Sequence, residues 1–452
     1  MTMRPNFVLL TVDSLRADHS TKASELMPRI NEYTDDGVRF TRAYANGYAT
    51  PISFPTILTG TYADHYGGSG YMSDERPFLA SKFQDSGYAT AGFHTNPHLR
   101  DDKNYDIGFN TYNDFDDEAG GLSRLRYLVT QNLDSDSVLY KLLKRVYHFV
   151  RTTSGSSDYT EAPALNEKAL RWIDQERDKD SPFFLWTHYM DVHYPFYPPD
   201  EFLDDVTDRS ISKNRAISVN GKMHEDGTEL SDEDIADLQA LYRGDVRYLD
   251  HHLGEFIDAL KQRGLLEDTV FIVTSDHGEL FGEHGKVGHP PSGYEESFHV
   301  PLFCFGPGIP EGRRIEDIAS LLDIPPTVAG LFDLGEDSRW EGKSLVPSIK
   351  DGPRDQEHSM FLGDTSVLAY QNERWRLVWW RDIDNPENPD QEWDLWQLPE
   401  CKRVPVDSQK DIVNDFREEM HSFLDRAAKR DKLAEPAVGE ETEDRLEALG
   451  YK

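Results

Sequence analysis

The 452-residue chain is poor in cysteine, poor in basic side chains for its acid content, and without a long apolar run. Two cysteines, Cys304 and Cys401, leave no disulfide framework and no cysteine-based metal cluster, and they fit a reducing compartment. No stretch is apolar for long enough to cross a bilayer. The apolar run behind Met1-Thr2-Met3-Arg4-Pro5 is too short for a signal core with a cleavage site, so a soluble, cytoplasmic protein is expected. Lys and Arg number 48 against 83 Asp and Glu, a formal charge of −35, and such a surface repels the phosphates of DNA and RNA. The excess fits a halophilic cytoplasm, where salt screens self-repulsion and carboxylates keep the surface hydrated. Internal repeats and low-complexity tracts are absent as well.

What is present is enough for a core: 37% apolar residues, 12% of all residues aromatic. Buried-strand patterns over residues 6–12, 89–96, 182–189, 271–275 and 300–305 alternate with helical patterns over 27–36, 78–86, 164–176 and 237–263. That alternation specifies an α/β fold, a doubly wound, mainly parallel central sheet flanked by helices, with its site at the carboxyl ends of the strands. Residues 320–331 read as a further helix with Pro325 and Pro326 in its first turn. Two insertions interrupt the order, at about 119–160 and 200–234, the second charged and irregular. The texture changes near residue 350, giving domains 1–352 and 353–452. The smaller one is expected to be α+β: antiparallel strands over 361–369, 374–381 and 392–398, a helix over 409–430 and an acidic tail. Leu139, Leu142, Leu143, Val146 and Val150 share one face of a basic amphipathic pattern within 137–151. It could touch an anionic membrane, although an inserted helix packed on the main domain is the plainer reading.

Chemistry-bearing side chains cluster where strands end. The run Phe271-Ile272-Val273-Thr274-Ser275 stops at Asp276-His277-Gly278, a carboxylate and an imidazole suited to a divalent cation. Residues 6–12 stop at Asp13, which alone would read as a helix cap but together with Asp276 and His277 reads as a shared metal ligand. Residues 182–189 lead to Asp191 and His193, a possible second metal site. Ahead of the helical residues Thr56-Ile57-Leu58 lies a hydroxyl-rich stretch containing Thr50 and Ser53. A hydroxyl at a helix start is commonly a cap, yet it can also be a nucleophile beside amides that favour an anionic ester.

These stretches together resemble the sulfatase family of the alkaline phosphatase superfamily. The segment Pro5–His19 is similar to the family's first metal strand, Leu58-Thr59-Gly60-Thr61-Tyr62 to the end of its nucleophile motif, and Val273–Glu279 with Gly282-Glu283-His284-Gly285 to its second metal segment. Residues 294–302, 322–328 and 445–451 resemble later landmarks. The resemblance implies an ester-bond hydrolase in which Asp13, Asp276 and His277 hold one divalent ion (Ca2+, Mg2+, Mn2+ or Zn2+). Its departures are specific. The position oxidised to formylglycine in sulfatases falls on Thr50, which that route cannot convert, and the supporting arginine position falls on Phe54. Ser14 stands where a second acid is common, and His289 where a lysine is usual. The family thus implies a Thr50 nucleophile without formylglycine, His193 and His289 as catalytic imidazoles, and Asn96 and Arg16 orienting the ester and the first loop. The substrate would be a sulfate or phosphate ester of a small molecule, glycan or lipid. Phosphodiesterase and phosphoglycerol- or phosphoethanolamine-type transferase chemistry, and a non-catalytic binding protein on the same fold, are the alternatives.

Overall fold

A computed structural model describes residues 4–113, 161–224, 230–350, 358–381 and 392–429. The central sheet grows from fully buried apolar strands: β1 (Asn6–Val12), β5 (Phe183–Tyr189) and β6 (Thr269–Ser275) are buried at every position. Such runs suit a sheet covered on both faces. With β2 (Gly37–Tyr44), β3 (Ala89–Phe93), β4 (Thr111–Asn113), β9 (His299–Phe305) and β10 (Arg313–Ser320) they form eight strands in the order β10-β2-β9-β6-β1-β5-β3-β4. Only β9 is antiparallel to its neighbours, β2 and β6. A small hairpin, β7 (Leu280–Phe281) with β8 (Val287–Gly288), follows β6.

Helices α1 (Pro28–Asp35), α2 (Thr50–Thr59), α3 (Leu79–Asp85), α4 (Ala162–Arg171), α5 (Asp200–Asp204), α6 (Lys213–His224), α7 (Asp232–Gln262) and α8 (Ile324–Phe332) supply the layers. One core joins Val8, Leu10 and Leu185 to apolar residues of α4 and α7; the other joins Phe7, Leu9 and Trp186 to Phe54, Phe83 and Val328 of α2, α3 and α8. Successive β1 side chains therefore serve opposite cores, as a period of two demands. The 31-residue α7 opens on a reciprocal cap in which the Ser231 hydroxyl accepts from the Asp234 amide and Asp234 accepts from the Ser231 amide.

The C-terminal part is a five-stranded antiparallel sheet, β11 (Ser359–Gly363), β12 (Val367–Asn372), β13 (Trp375–Trp380), β14 (Glu392–Gln397) and β15 (Lys402–Val404), with helix α9 (Lys410–Ala427) against it. It is keyed to the large sheet by polar contacts: Asn46 Nδ2 donates to Phe361 O (2.9 Å), and buried Arg376 pairs with Glu295 (2.6 Å).

Several expectations need correction. The run 361–369 is not one strand but parts of two, turned at Gly363–Ser366, where Asp364 accepts from the Ser366 and Val367 amides. The insertion at 200–234 is not irregular: it contains α5, α6 and the start of α7. Helix α2 begins at Thr50, not after Pro55. Pro51 occupies its first turn, where no amide donor is needed, and Pro55 lies inside. The helix expected from residue 320 begins as a single tight turn (Leu321–Asp323) before α8, and β10 ahead of it was not anticipated. The amphipathic pattern at 137–151 and the acidic tail lie outside the described residues.

Candidate active site

Strand register assembles the site. In the parallel ladders Val12 stands opposite both Ser275 and Tyr189, so the next residues, Asp13, Asp276 and Met190, emerge side by side. The Asp13 amide donates to Tyr189 O (2.8 Å) and the Asp276 amide to Val12 O (3.2 Å). The chain then turns at Ser14 (φ +61°), whose amide donates to Asp276 Oδ1 (3.3 Å) and whose hydroxyl donates to Asp13 Oδ1 (2.9 Å). At the second tip Gly278 is obligatory, because a Cβ there would lie 1.9 Å from Glu296 O.

Three other elements close in on these carboxylates. Thr50, the first residue of α2, donates through Oγ1 to Asp13 Oδ2 (3.2 Å). Asn96, just past β3, donates through Nδ2 to Asp13 Oδ2 (3.0 Å) and lies 3.4 Å from Thr50 Oγ1. His188 of β5 places Nε2 3.3 Å from Asp13 Oδ2, while its Nδ1 meets Thr11 Oγ1 at 3.1 Å. His277 Nε2 lies 3.5 Å from Asp13 Oδ1 and 3.7 Å from Asp276 Oδ2. All six side chains, from Asp13 to His277, are buried.

Of the residues singled out in the sequence, Asp13, Thr50, Asn96, Asp276 and His277 therefore come together. His289 joins them, its ring 4.8 Å from that of His277 and 5.3 Å from that of His193. The Arg16 guanidinium is held by Asp18 and Glu283 (2.8 Å each) and by Glu279 O, which ties the β1 loop to the β7 segment. Ser53 points away, exchanging hydrogen bonds with the backbone of Gly47. Asp191 turns its Oδ1 to the Ala162 amide (2.9 Å) at the start of α4.

Two residues escaped the sequence reading. His188 sits one step before the strand end, opposite Thr11, and Thr11 shares a face of β1 with Asp13; alternation along paired strands was the available signal. His98 lies half-buried two residues past Asn96, within reach of the fields of His193 and His289.

Burial and mutual proximity set the electrostatics of the site. Burial opposes ionisation of Asp13, but the fields of His193 and His277 and the contact with His188 outweigh it and hold the carboxyl well below its usual range. Burial and the adjacent Asp13 charge push Asp276 up to about 8. Burial drives His193 down to about 4 and His98 to about 3, and lowers His277. His289 is the exception: burial pulls its pKa down, yet Glu279, 3.3 Å from Nδ1, raises it overall. A divalent cation suits these donors. Asp276 Oδ2 and His277 Nε2 are buried without a hydrogen-bond partner among the described residues, and donor atoms of Asp13, His188 and Asp276 all lie within 4.8 Å of one another.

Residues 5–334 match the family model described as Sulfatase. An arylsulfatase of Clostridium perfringens (strain 13 / Type A) is 26% identical over 390 residues, 77% of this chain and 79% of that protein. A choline-sulfatase of Rhizobium meliloti (strain 1021) is 31% identical over 271 residues, 55% and 52% of the two chains. Among solved structures, the phosphonate monoester hydrolase of Agrobacterium radiobacter superposes with a TM-score of 0.69 at 21% identity, over 94% of this chain and 96% of that one.

Proposed function

The chain belongs to the sulfatase family of ester-bond hydrolases, and from that premise we propose that it cleaves sulfate or phosphate esters through direct attack by the Thr50 hydroxyl. One observation carries the reading: Thr50 Oγ1 sits at the first turn of α2 and 3.2 Å from Asp13 Oδ2, with Asn96 Nδ2 bridging the two. Asp13, Asp276 and His277, joined by His188, would hold one divalent ion; when bound, it polarises the ester and favours the alkoxide form of a nearby hydroxyl. Asn96 fixes the rotamer of Thr50 by spanning its oxygen and Asp13 Oδ2. Thr50 Oγ1 forms a bond to sulfur or phosphorus as the bond to the leaving alcohol breaks, its own proton being lost to solvent as the alkoxide forms. His289, whose pKa is raised by Glu279 3.3 Å away, is the imidazole that gives a proton to the leaving oxygen, and His193, its pKa lowered by burial, steadies the non-bridging oxygens through its ring nitrogen. Water, or an acceptor alcohol in a transferase, then displaces Thr50.

The alcohol portion is a small molecule, glycan or lipid, in keeping with the choline and aryl esters that name its relatives. Phosphorus esters are the second reading. Phe54 occupies the place of an anion-pairing arginine and packs on His188 instead, with ring centroids 4.7 Å apart. The acidic composition supports work in concentrated salt, and no helix among the described residues is long and apolar enough to cross a membrane. The test is a panel of aryl and choline sulfates, phosphate mono- and diesters and phosphonate monoesters, run with each of Ca2+, Mg2+, Mn2+ and Zn2+ on wild type and Thr50→Ala. Turnover lost in Thr50→Ala, with metal content unchanged, is the expected result. Undiminished turnover would remove Thr50 from the mechanism, and no turnover with any ester would favour a binding protein.

A further inference from the structure

Away from the active site, α7 carries two adjacent imidazoles and a carboxylate on its outer side. His251 and Glu255 are one helical turn apart, and His252 and Glu255 are three residues apart, so one carboxylate is reached from both rings. His251 Nε2 lies 3.3 Å from Glu255 Oε1 and His252 Nδ1 lies 2.8 Å from Glu255 Oε2. Donor atoms of all three residues fall within 4.8 Å of one another. The opposite side of the helix is committed to the core through Leu249, Leu253 and Phe256, so packing does not explain the trio.

Two His–Glu pairs on the outer side of a helix would add little stability by themselves. The rings, however, are held. His252 packs edge-on to Tyr248 (centroids 4.5 Å) and to His251 (4.9 Å), and His251 leans on Phe202 of α5 (5.6 Å). Asn166 of α4 donates to His252 O (2.9 Å), fixing the backbone beneath. Both rings thus present a nitrogen to the same carboxylate before any ligand arrives. We propose that His251, His252 and Glu255 form a second metal site, selective for a borderline transition-metal ion such as Zn2+ or Ni2+ over Mg2+ or Ca2+. Two imidazoles and one carboxylate are a donor set that hard ions use poorly and zinc uses well, with further positions left to water. Closing the trio to bonding distance needs chiefly rotation of Glu255, whose side chain is 56% exposed, toward the half-buried His252 ring. A metal seated there would clamp the stretch of α7 against which α4 and α5 pack.

The test is calorimetric titration of Zn2+ into the chelator-stripped, full-length protein in millimolar Mg2+, which masks the acidic surface. His251→Ala and Glu255→Gln, both surface changes outside the catalytic machinery, are each expected to bind one equivalent of zinc fewer than wild type with ester turnover unchanged. In the wild type alone, zinc should also raise the unfolding temperature beyond the rise seen in the two variants. Variants that bind as many equivalents as wild type overturn the proposal. The result is independent of the active-site reading, because Asp276→Asn run in parallel reports separately on that metal.

Discussion

At the scale of single residues the site is governed by one hydroxyl and one amide. The Thr50 hydroxyl proposed as nucleophile is held by Asn96 and Asp13 from two directions. Thr50→Ser retains the oxygen but loses the methyl that restricts rotation about χ1. It is expected to keep a measurable fraction of kcat, whereas Thr50→Ala should lower kcat by roughly 1,000-fold or more, the scale on which nucleophile removal acts. Asn96→Ala leaves the nucleophile in place and should cost roughly 10–100-fold in activity, as removal of a residue that orients a metal ligand does. Steady-state kinetics on the best ester of the panel separate the cases; a kcat for Asn96→Ala below that of Thr50→Ala would invert the assignment. His188 is the residue-scale surprise. It lies among the donors proposed to hold the metal, and His188→Ala is expected to lower bound divalent metal per chain, measured by elemental analysis, while circular dichroism stays native.

At the scale of elements, the strand tips do the positioning, and their legibility in the sequence is uneven for a physical reason. Buried parallel strands announce themselves as apolar runs that stop at a polar residue, which is why Asp13 and Asp276 stand out as a pair in the sequence alone. Pairing register is not written locally, so the histidine of β5 that comes to face Asp13 cannot be separated there from Thr187 and Tyr189 beside it. Pro55 misleads in the same local way: it marks a helix start in isolation, yet it lies inside α2, where the hydrogen bond it removes is a cost that packing of the buried helix must offset. The family resemblance locates Thr50 where propensity cannot. Arg16 goes the other way, since only the fold reveals that Glu283 and Asp18 already claim it. One element carries a testable strain. Asp191, at the tip of β5, is buried, and burial with the nearby Glu161 charge raises its pKa to about 7, while its Oδ2 has no hydrogen-bond partner among the described residues. A carboxyl raised in the folded state stabilises below its unfolded value near 4, and that stability is lost as pH climbs through about 7. Asp191→Asn keeps an acceptor for the Ala162 amide and removes the charge. It should therefore raise the unfolding temperature at pH 8 and change it little at pH 5. A larger gain at pH 5 than at pH 8 would show that the buried charge is not the cost.

At the scale of the whole molecule, the dominant fact is a formal charge of −35 spread over a fold whose core is otherwise ordinary. Compact folding gathers that charge onto one surface, and its self-repulsion opposes the folded state. The acid excess is not consumed internally. Arg16, Arg215 and Arg376 are each bound to carboxylates already, and the surplus of 83 acidic over 48 basic side chains remains after every pairing. The contact between the two sheets rests partly on one ion pair, Arg376–Glu295, with Arg376 buried, so it is shielded from bulk salt far more than the surface is. Raising salt from about 0.1 M to about 1 M shortens the screening length from about 10 Å to about 3 Å, which removes long-range repulsion on the surface while leaving buried pairs largely intact. The unfolding temperature and the activity should both climb over that range in KCl. An equal ionic strength of NaCl should act similarly, because the effect is screening and not ion-specific binding. Differential scanning fluorimetry across a KCl series checks the stability and initial rates on one ester check the activity. A protein equally stable at both ends of the series would mean that its acidic surface is not an adaptation to salt, and the carboxylates would then need a different account.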